Sequence, residues 1–560
     1  MPESQTLPSL VTTATGETRL LVDGSPYLIR GGELGNSSGE RAYLNDFWPR
    51  LDSLNLSTLL VAVYWDAIEP VEGQFDWTTV DELLEDARAH GLRLVLLWFG
   101  SWKNSMSSYV PSWVKKDYLR FPRARTSPQM SASGVGESEG TALEILSPFY
   151  PANQEADAKA FAALMAHLRE VDPQHTVIMV QVENEIGMIP QARDHTPAAE
   201  AAWNEPVPAA LMAHLSEHRS NIGAALAAQW HAAGGKTAGT WAEVFGDSPA
   251  TEELFQAWAF AQYVEAVTAA GKSQLNLPMF TNAALIRTGT QPGQYPSAGP
   301  LPHLADIWRA GAPSLDFIAP DIYFPNFAQW ADAYVTSGNP LFVPEALRSV
   351  DAAANALYSF GKHGALGFAP FGIESISGNA ATMLAGAYDI VAQLTPLIAQ
   401  ANADRSPQGF SAALSATAPS MTGFLPPTDD QRAPHRIRVG DLFLEATYER
   451  VPAPTLADGV INESGQAAGS EKLPAAAIAI CVGADEYIIA GTGVTVTFRN
   501  TAPGGDTIGI LSAEEGRFVG EGSRWQHVRW LNGDQTHQGR HIRLEPGRFA
   551  IQKVKLYRYR

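Results

Sequence analysis

Apolar residues along this chain gather in short runs, and each run stops at a glycine, an asparagine, a proline or an acid. Eight of them precede residue 380: YLIRGGELGN (27–36), STLLVAVYWDAIEP (57–70), LRLVLLWFGSW (92–102), TVIMVQVENEIG (176–187), LPMFTNA (277–283), LDFIAPDIYF (315–324), PLFVPEAL (340–347) and GALGFAPFGIES (364–375). Runs this short, rich in Val, Ile, Leu and Phe, suit strands buried on both faces. Helical patterns fall between them. TTVDELLEDARAHG (78–91) carries acids in its first turn and a glycine stop. QEADAKAFAALMAHLREVD (154–172) has apolar residues at helical spacing, and 248–272 opens with Ser248 as N-cap and Pro249 at the first helical position. The alternation predicts an α/β fold, a (β/α)8 TIM barrel over 1–395 with an insertion at about 188–275. An open doubly wound sheet is the rival, but polar residues end nearly every run and do not gather at one crossover.

After about residue 400 the pattern changes to strands separated by turns: SPQGFSAALSA, HRIRVGDLFLEATYER, AAAIAICVGADEYIIAGTGVTVTFRN and GRFAIQKVKLYRYR. Segments 425–434 and 452–473 read as loops. A C-terminal β-sandwich-like accessory domain over 396–560 is expected.

Length and composition agree with two large units. The 560 residues exceed one ordinary core, and 45% are hydrophobic. A net charge of −20 argues against nucleic acid or an anionic membrane as partner. The lone Cys481 excludes an intrachain disulfide framework. The first residues lack a basic start followed by an apolar stretch, so no signal peptide is read and a cytoplasmic location is expected, with a periplasmic or secreted one as the alternative. No run of about 18 apolar residues is seen. A homo-oligomer is compatible with the sequence.

Function in a barrel sits at the C-terminal ends of the strands. Those ends here carry Glu33, Asp66 and Glu69, Trp98 and Trp102, then Glu183, Asn184 and Glu185, then Asn282, Asp321 and Tyr323, Glu345 and Glu374. Carboxylates and amides suit sugar hydroxyls, and aromatic faces suit the C–H face of a sugar ring. Glycoside hydrolysis needs one carboxyl group that holds a proton and one that stays ionised. Glu185 and Glu345 form the best pair. A single terminal acid is more often an ion-pair partner or helix cap; the pair, with Asn184 and Tyr323 beside it, favours catalysis.

The motifs WDAIEPVEGQFDW (65–77), VQVENEIG (180–187) and LFVPEA (341–346) resemble those of clan A retaining glycoside hydrolases, nearest to family 35, the β-galactosidases, and similar also to family 42. The resemblance covers about residues 18–380. It implies Glu185 as general acid/base, Asn184 as ligand of the sugar 2-hydroxyl and Glu345 as nucleophile, acting by double displacement with the carboxyl groups about 5–5.5 Å apart. Two positions depart from the family pattern. The third run ends WFGSWKN where the family has Ala-Glu-Trp, and the second shows AVYWD, with Tyr64, in place of Tyr-x-Pro-Trp-Asn. The expected sugar ligands are Asn184, Glu33, Tyr64, Trp98, Trp102, Asn104, Tyr323 and Glu374, with Lys103 as a further hydroxyl reader. No cofactor and no metal are expected. The implied activity is an exo-β-galactosidase on oligosaccharides such as a galactosylated xyloglucan fragment. A β-glucosidase or other exo-β-glycosidase, or a non-catalytic carbohydrate-binding barrel, are the alternatives.

Three other motifs lead elsewhere. HLSEH (214–218) matches a zinc peptidase pattern, but an exposed histidine pair without a third ligand is the commoner case. WNEP (203–206) follows no apolar run and reads as a loop. GGKT (234–237) lacks the first glycine of a phosphate loop, since position 230 is Trp230.

Within VQVENEIG, period two puts Gln181, Glu183 and Glu185 on one face, so both glutamates are expected to point into the barrel. Asn184 then faces away, unless the strand ends or bulges near residue 183. Glu185 is expected at the lip and Glu183 as its support.

Overall fold

The computed structural model describes residues 6–13, 16–128, 140–403, 420–424, 435–439, 442–449, 472–520 and 524–560. The loop at 425–434, nearly all of the loop at 452–473 and the strand expected within 406–416 lie outside these residues.

All eight apolar runs are strands of one parallel ring. In order they are Ile29–Glu33, Thr58–Tyr64, Arg93–Lys103, Val177–Asn184, Met279–Ala284, Phe317–Ile322, the pair Phe342–Val343 and Glu345–Ala346, and Gly367–Phe368. Pro344 splits the seventh strand, because proline has no N–H for the ladder. Its first half pairs with the eighth strand and its second half with the sixth (Asp321 opposite Glu345), which closes the ring. The expected (β/α)8 barrel is therefore the observed one.

Alternation along each strand explains the unbroken apolar runs. Leu60, Ala62, Val95, Leu97 and Phe99 turn inward, whereas Leu59, Val61, Leu94, Leu96 and Trp98 face the helices. Phe280 fills the barrel centre, stacked on Phe317 at 5.1 Å and edge-on to Phe342 at 5.1 Å. The outer ring includes Thr78–Ala89, Pro151–Val171, Pro249–Gln274, Asp351–His363 and Gly378–Ala403. Ser248 caps the third of these by accepting the Thr251 N–H at 3.3 Å, as its sequence suggested. The insertion adds the short helices Pro197–Asn204, Ala209–Glu217, Ala224–Ala232 and Trp241–Phe245. WNEP is thus a helix end and not simply a loop: Asn204 donates to the Glu200 carbonyl at 2.7 Å.

An N-terminal sheet, absent from the expected elements, closes the floor of the barrel. Strands Ser9–Thr12, Thr18–Val22 and Ser25–Tyr27 form an antiparallel sheet whose Leu20 and Val22 join the barrel interior cluster. Its second turn, Asp23-Gly24, has φ of 51° and 74°, the left-handed pair a tight hairpin requires.

Helix Gly378–Ala401 has the length and composition of a membrane-crossing helix, against the expectation that no such run is present. Its buried Leu384, Val391 and Leu394 belong to the main core. Tyr388 donates to the Gly31 and Phe368 carbonyls at 2.7 and 2.8 Å. Phe549 of the C-terminal domain lies against Gly386, where a Cβ would come within 2.4 Å of the ring. The expected boundary at 395/396 falls inside this helix.

The C-terminal domain is a sandwich of a six-stranded and a four-stranded antiparallel sheet. Ala477, Ile489, Val496, Leu444, Ile542 and Val554 fill the space between the sheets. Ile478, Ile480, Ile488 and Ile551, on the other face of the larger sheet, merge with the barrel core. Strands Thr507–Val519, Arg524–Trp530 and His541–Leu544 were not read from sequence. In the first of them the buried positions are Gly509, Ala513 and Glu515, so no row of large apolar residues marks a buried face.

Truncating Phe280 to alanine removes the ring at the centre of the barrel interior. The expected loss is about 3–5 kcal/mol of barrel stability, read as a lower urea midpoint; an unchanged midpoint would contradict this packing.

Candidate active site

The fourth strand ends in an irregular turn. Glu183 has φ 62° and Glu185 φ 46°, left-handed values that a non-glycine residue adopts only when its surroundings hold it there. The expected break near residue 183 is present, but it does not send both glutamates inward. Glu183 turns out of the lumen toward the end of the third strand. Its carboxyl accepts the Trp102 N–H at 2.7 Å and the Ser101 N–H at 3.2 Å. Asp157 lies beside it, itself bound to the Trp98 indole at 2.8 Å and the Tyr263 hydroxyl at 3.2 Å. Burial first, and then Asp157, push the Glu183 carboxyl well above its ordinary value, with the two N–H donors opposing. Gly100 is required between these two acids: a Cβ there would lie 2.7 Å from Glu183 and 2.8 Å from Asp157.

The same break turns Asn184 into the mouth, where its Nδ2 donates to Glu345 Oε1 at 3.3 Å. Glu345 also accepts from the Tyr323 hydroxyl at 2.6 Å, so donors reach both of its oxygens and orient it. Glu185 receives a hydrogen bond from the Asn104 side chain, whose own oxygen accepts from Lys103. The Asn104–Ser105 turn, with φ 52° and 60°, aims that amide. One oxygen each of Glu185, Asp321 and Glu345 lies within 4.8 Å of the other two, and all three residues are buried. The Glu185 carboxyl is pushed up to about 7 by burial first and by the Glu345 charge second, with Lys103 and hydrogen bonds from Asp321 and Asn104 opposing. A carboxyl in this range can give a proton and take it back near neutral pH.

Other expected ligands fall on both sides of the barrel wall. Glu33 is 1% exposed, and neither of its oxygens has a partner among the described residues. Burial, then Glu345, raise its pKa well above the ordinary value, with Lys103 opposing. Tyr64 stacks on Tyr109 at 5.1 Å and donates to the Asn36 carbonyl. Glu374 is occupied by the Ser38 hydroxyl at 2.8 Å and the Gly35 N–H at 3.2 Å, so it braces the loop after the first strand.

Trp98 and Trp102 are corrections. Trp98 has the outward parity of its strand and packs on Phe161 at 5.4 Å. Trp102 is fully buried, edge-on to Tyr263 at 4.5 Å. Neither reaches the mouth, because a strand sends every second side chain to the helices. Lys103, the next residue, does turn back, with its ammonium 5.0 Å over the Phe99 ring. Glu69 likewise belongs to a turn, accepting from the Trp65 indole at 2.8 Å and the Gly73 N–H at 2.7 Å.

Asn282 and Asp321 were seen as strand ends but given no task from sequence. Asn282 accepts the Glu185 N–H at 2.9 Å and donates to Asp321 at 2.7 Å. The one signal available was their place as polar ends of the fifth and sixth runs. His214 and His218 of the HxxEH motif stack on each other at 4.4 Å, away from this cluster.

Comparisons with known proteins fall on the same segment. Residues 44–264 match the glycoside hydrolase family 42 model, described as Beta-galactosidase, and residues 384–543 match a model described as Domain of unknown function (DUF5597). The likeness to the clan A β-galactosidases read from WDAIEPVEGQFDW and VQVENEIG is thus borne out over 44–264. A curated Beta-galactosidase from Xanthomonas manihotis is 33% identical over 88 residues, which is 15% of this chain and 15% of that protein. Among solved structures, the β-galactosidase of the psychrophilic Marinomonas ef1 aligns with a TM-score of 0.44 at 13% identity, covering 66% of this chain and 60% of that one. That of Bacillus circulans sp. alkalophilus aligns at 0.44 and 14%, covering 69% and 60%. Scores this low carry no weight beside the closed ring of strands itself.

Burial of Glu185 has a consequence for stability. Its folded-state pKa of about 7 lies above the ordinary 4.5, so its contribution to stability is fully present below about 4.5 and is lost as pH rises through about 7. Glu185→Gln should therefore match the wild type at or below about pH 4 and be more stable at pH 8, by about 3 kcal/mol. Thermal melts across pH check this, and a difference independent of pH would contradict it.

Proposed function

We propose that this chain is a retaining exo-β-galactosidase that removes terminal β-linked galactose from oligosaccharides, including those of plant cell walls. The observation that carries the reading is the pair Glu185 and Glu345. Their oxygens lie within 4.8 Å, one carboxyl is raised to about 7, and the other is oriented by Tyr323 and Asn184. The family match over 44–264 supports the galactoside as substrate class.

In this mechanism a Glu345 oxygen attacks the anomeric carbon while Glu185 gives its proton to the departing glycosidic oxygen. A glycosyl ester on Glu345 results. Water then attacks the same carbon, Glu185 takes its proton, and the ester bond breaks with its electron pair returning to Glu345. Asn184, bound to Glu345 in the free protein, is placed to donate to or accept from the neighbouring hydroxyl of the sugar. The end of the third strand presents Asn104 and Lys103 to the mouth instead of a carboxylate, which keeps a β-glucosidase as the second reading.

A panel of nitrophenyl glycosides separates these readings. The β-galactoside should turn over fastest, preference for the β-glucoside would favour the second reading, and turnover of none would leave a carbohydrate-binding barrel. Glu345→Gly should lose at least about 10⁴-fold in kcat and recover activity with azide as the α-galactosyl azide forms. Unchanged activity in that variant would remove Glu345 from the mechanism.

A further inference from the structure

Double displacement needs two carboxyl groups, yet the mouth holds Asp321 as a third within 4.8 Å of both. Asp321 ends the sixth strand and is 2% exposed. Asn282 ties it to the reacting pair. The Asn282 Oδ1 accepts the Glu185 backbone N–H at 2.9 Å, and its Nδ2 donates to Asp321 Oδ2 at 2.7 Å and reaches Glu345 Oε1 at 3.5 Å. The second Asp321 oxygen, Oδ1, receives no donor from the described residues. One Asp321 oxygen lies within 4.8 Å of a Glu185 oxygen, close enough for a small movement of either side chain to bring the two carboxyl groups into hydrogen-bond range. Two carboxyl groups can share a hydrogen bond only if one of them keeps a proton.

We propose that Asp321 is a positioning residue held as a neutral acid by its burial and anchored by Asn282, and that its O–H donates to the Glu185 carboxylate whenever Glu185 is ionised. The inference rests on Glu185 being the acid/base of the proposed hydrolase. Its effect falls on the second half-reaction. Once Glu185 has given its proton to the leaving oxygen, it is a buried carboxylate beside the new ester. The Asp321 O–H and the Asn104 amide then stabilise that charge until water delivers a proton to Glu185. Asp321 neither gains nor loses a proton over the cycle.

The surroundings agree. Burial first, then Glu345, Glu185 and Glu33, push the Asp321 carboxyl well above its ordinary value. Lys103, from the third strand, opposes them. The uncharged groups around the cluster are Asn104, Asn184, Asn282 and Tyr323.

The test is the titration of Glu185 in protein labelled with carbon-13 at the glutamate carboxyl, its resonance assigned by its loss in Glu185→Gln. Wild type, Asp321→Asn and Asp321→Ala are compared, alongside their pH–rate profiles on nitrophenyl β-galactoside. Asp321→Ala removes the donor and should raise the Glu185 midpoint and the basic limb of the profile by about one pH unit. Asp321→Asn keeps an uncharged donor and should hold the midpoint within about half a unit of wild type. A midpoint that falls by about a unit in Asp321→Asn would mean that Asp321 is natively ionised, and would overturn the proposal. So would a midpoint unmoved in Asp321→Ala, which would leave Asp321 only a strut for Asn282. If the alanine variant does not fold, the asparagine variant still decides between a neutral and an ionised Asp321. Wild-type protein inactive on every glycoside would sink the hydrolase reading while the titration still judged this one.

Discussion

Carboxyl groups crowded within 4.8 Å of one another and shielded from water cannot all be ionised. That electrostatic constraint organises the barrel mouth. Glu185 answers it with a pKa raised to about 7, and Glu33 and Asp321 are pushed well above their ordinary values. Lys103 is the cation that opposes all three shifts. Neutral donors do the rest: Tyr323 and Asn184 reach Glu345, and Asn104 reaches Glu185. Two glutamates of identical chemistry thereby acquire different surroundings, Glu185 among other carboxyls and Glu345 under two neutral donors.

The backbone that meets this constraint is not a regular strand. Left-handed residues at 183 and 185 undo the alternation that would otherwise turn Asn184 to the helices. A second buried acid pair, Glu183 with Asp157, fastens that turn to the end of the third strand through the Ser101 and Trp102 N–H groups. The seventh strand uses a different device. Pro344 interrupts the ladder just before Glu345, and the strand passes from one neighbour to the other at that residue. Glu185 and Glu345 thus both stand where regular pairing ends, on frames held by the adjacent strands.

The accessory domain packs its larger sheet against this scaffold. Ile478, Ile480 and Ile488 share the apolar core with helices Asp351–His363 and Gly378–Ala403, which flank the eighth strand. Glu374 and its loop contacts to Gly35 and Ser38 sit at the other end of that strand. The first of these helices follows Glu345 directly and the second follows Glu374, so the sheet backs the elements that carry both residues.

By itself the sequence determined the barrel, because strands buried on both faces must be short and apolar and must end where solvent begins. It also determined the two glutamates, whose motifs place them at the ends of the fourth and seventh runs. Side-chain direction at the irregular ends was a matter for the tertiary structure. Trp98 and Trp102 read as sugar platforms but pack on Phe161 and Tyr263, while Lys103 between them and Asn104 turns into the mouth. Glu183 and Glu185 share a parity in sequence, yet one braces the wall and the other faces Glu345. Period two holds only while φ stays extended, and the left-handed turn at Glu183 is stabilised by Ser101 and Trp102, some eighty residues earlier in the chain. Separation along the chain likewise hid Asp321 and Asn282, ordinary polar ends of two strands until the closed ring brings them against Glu185 and Glu345.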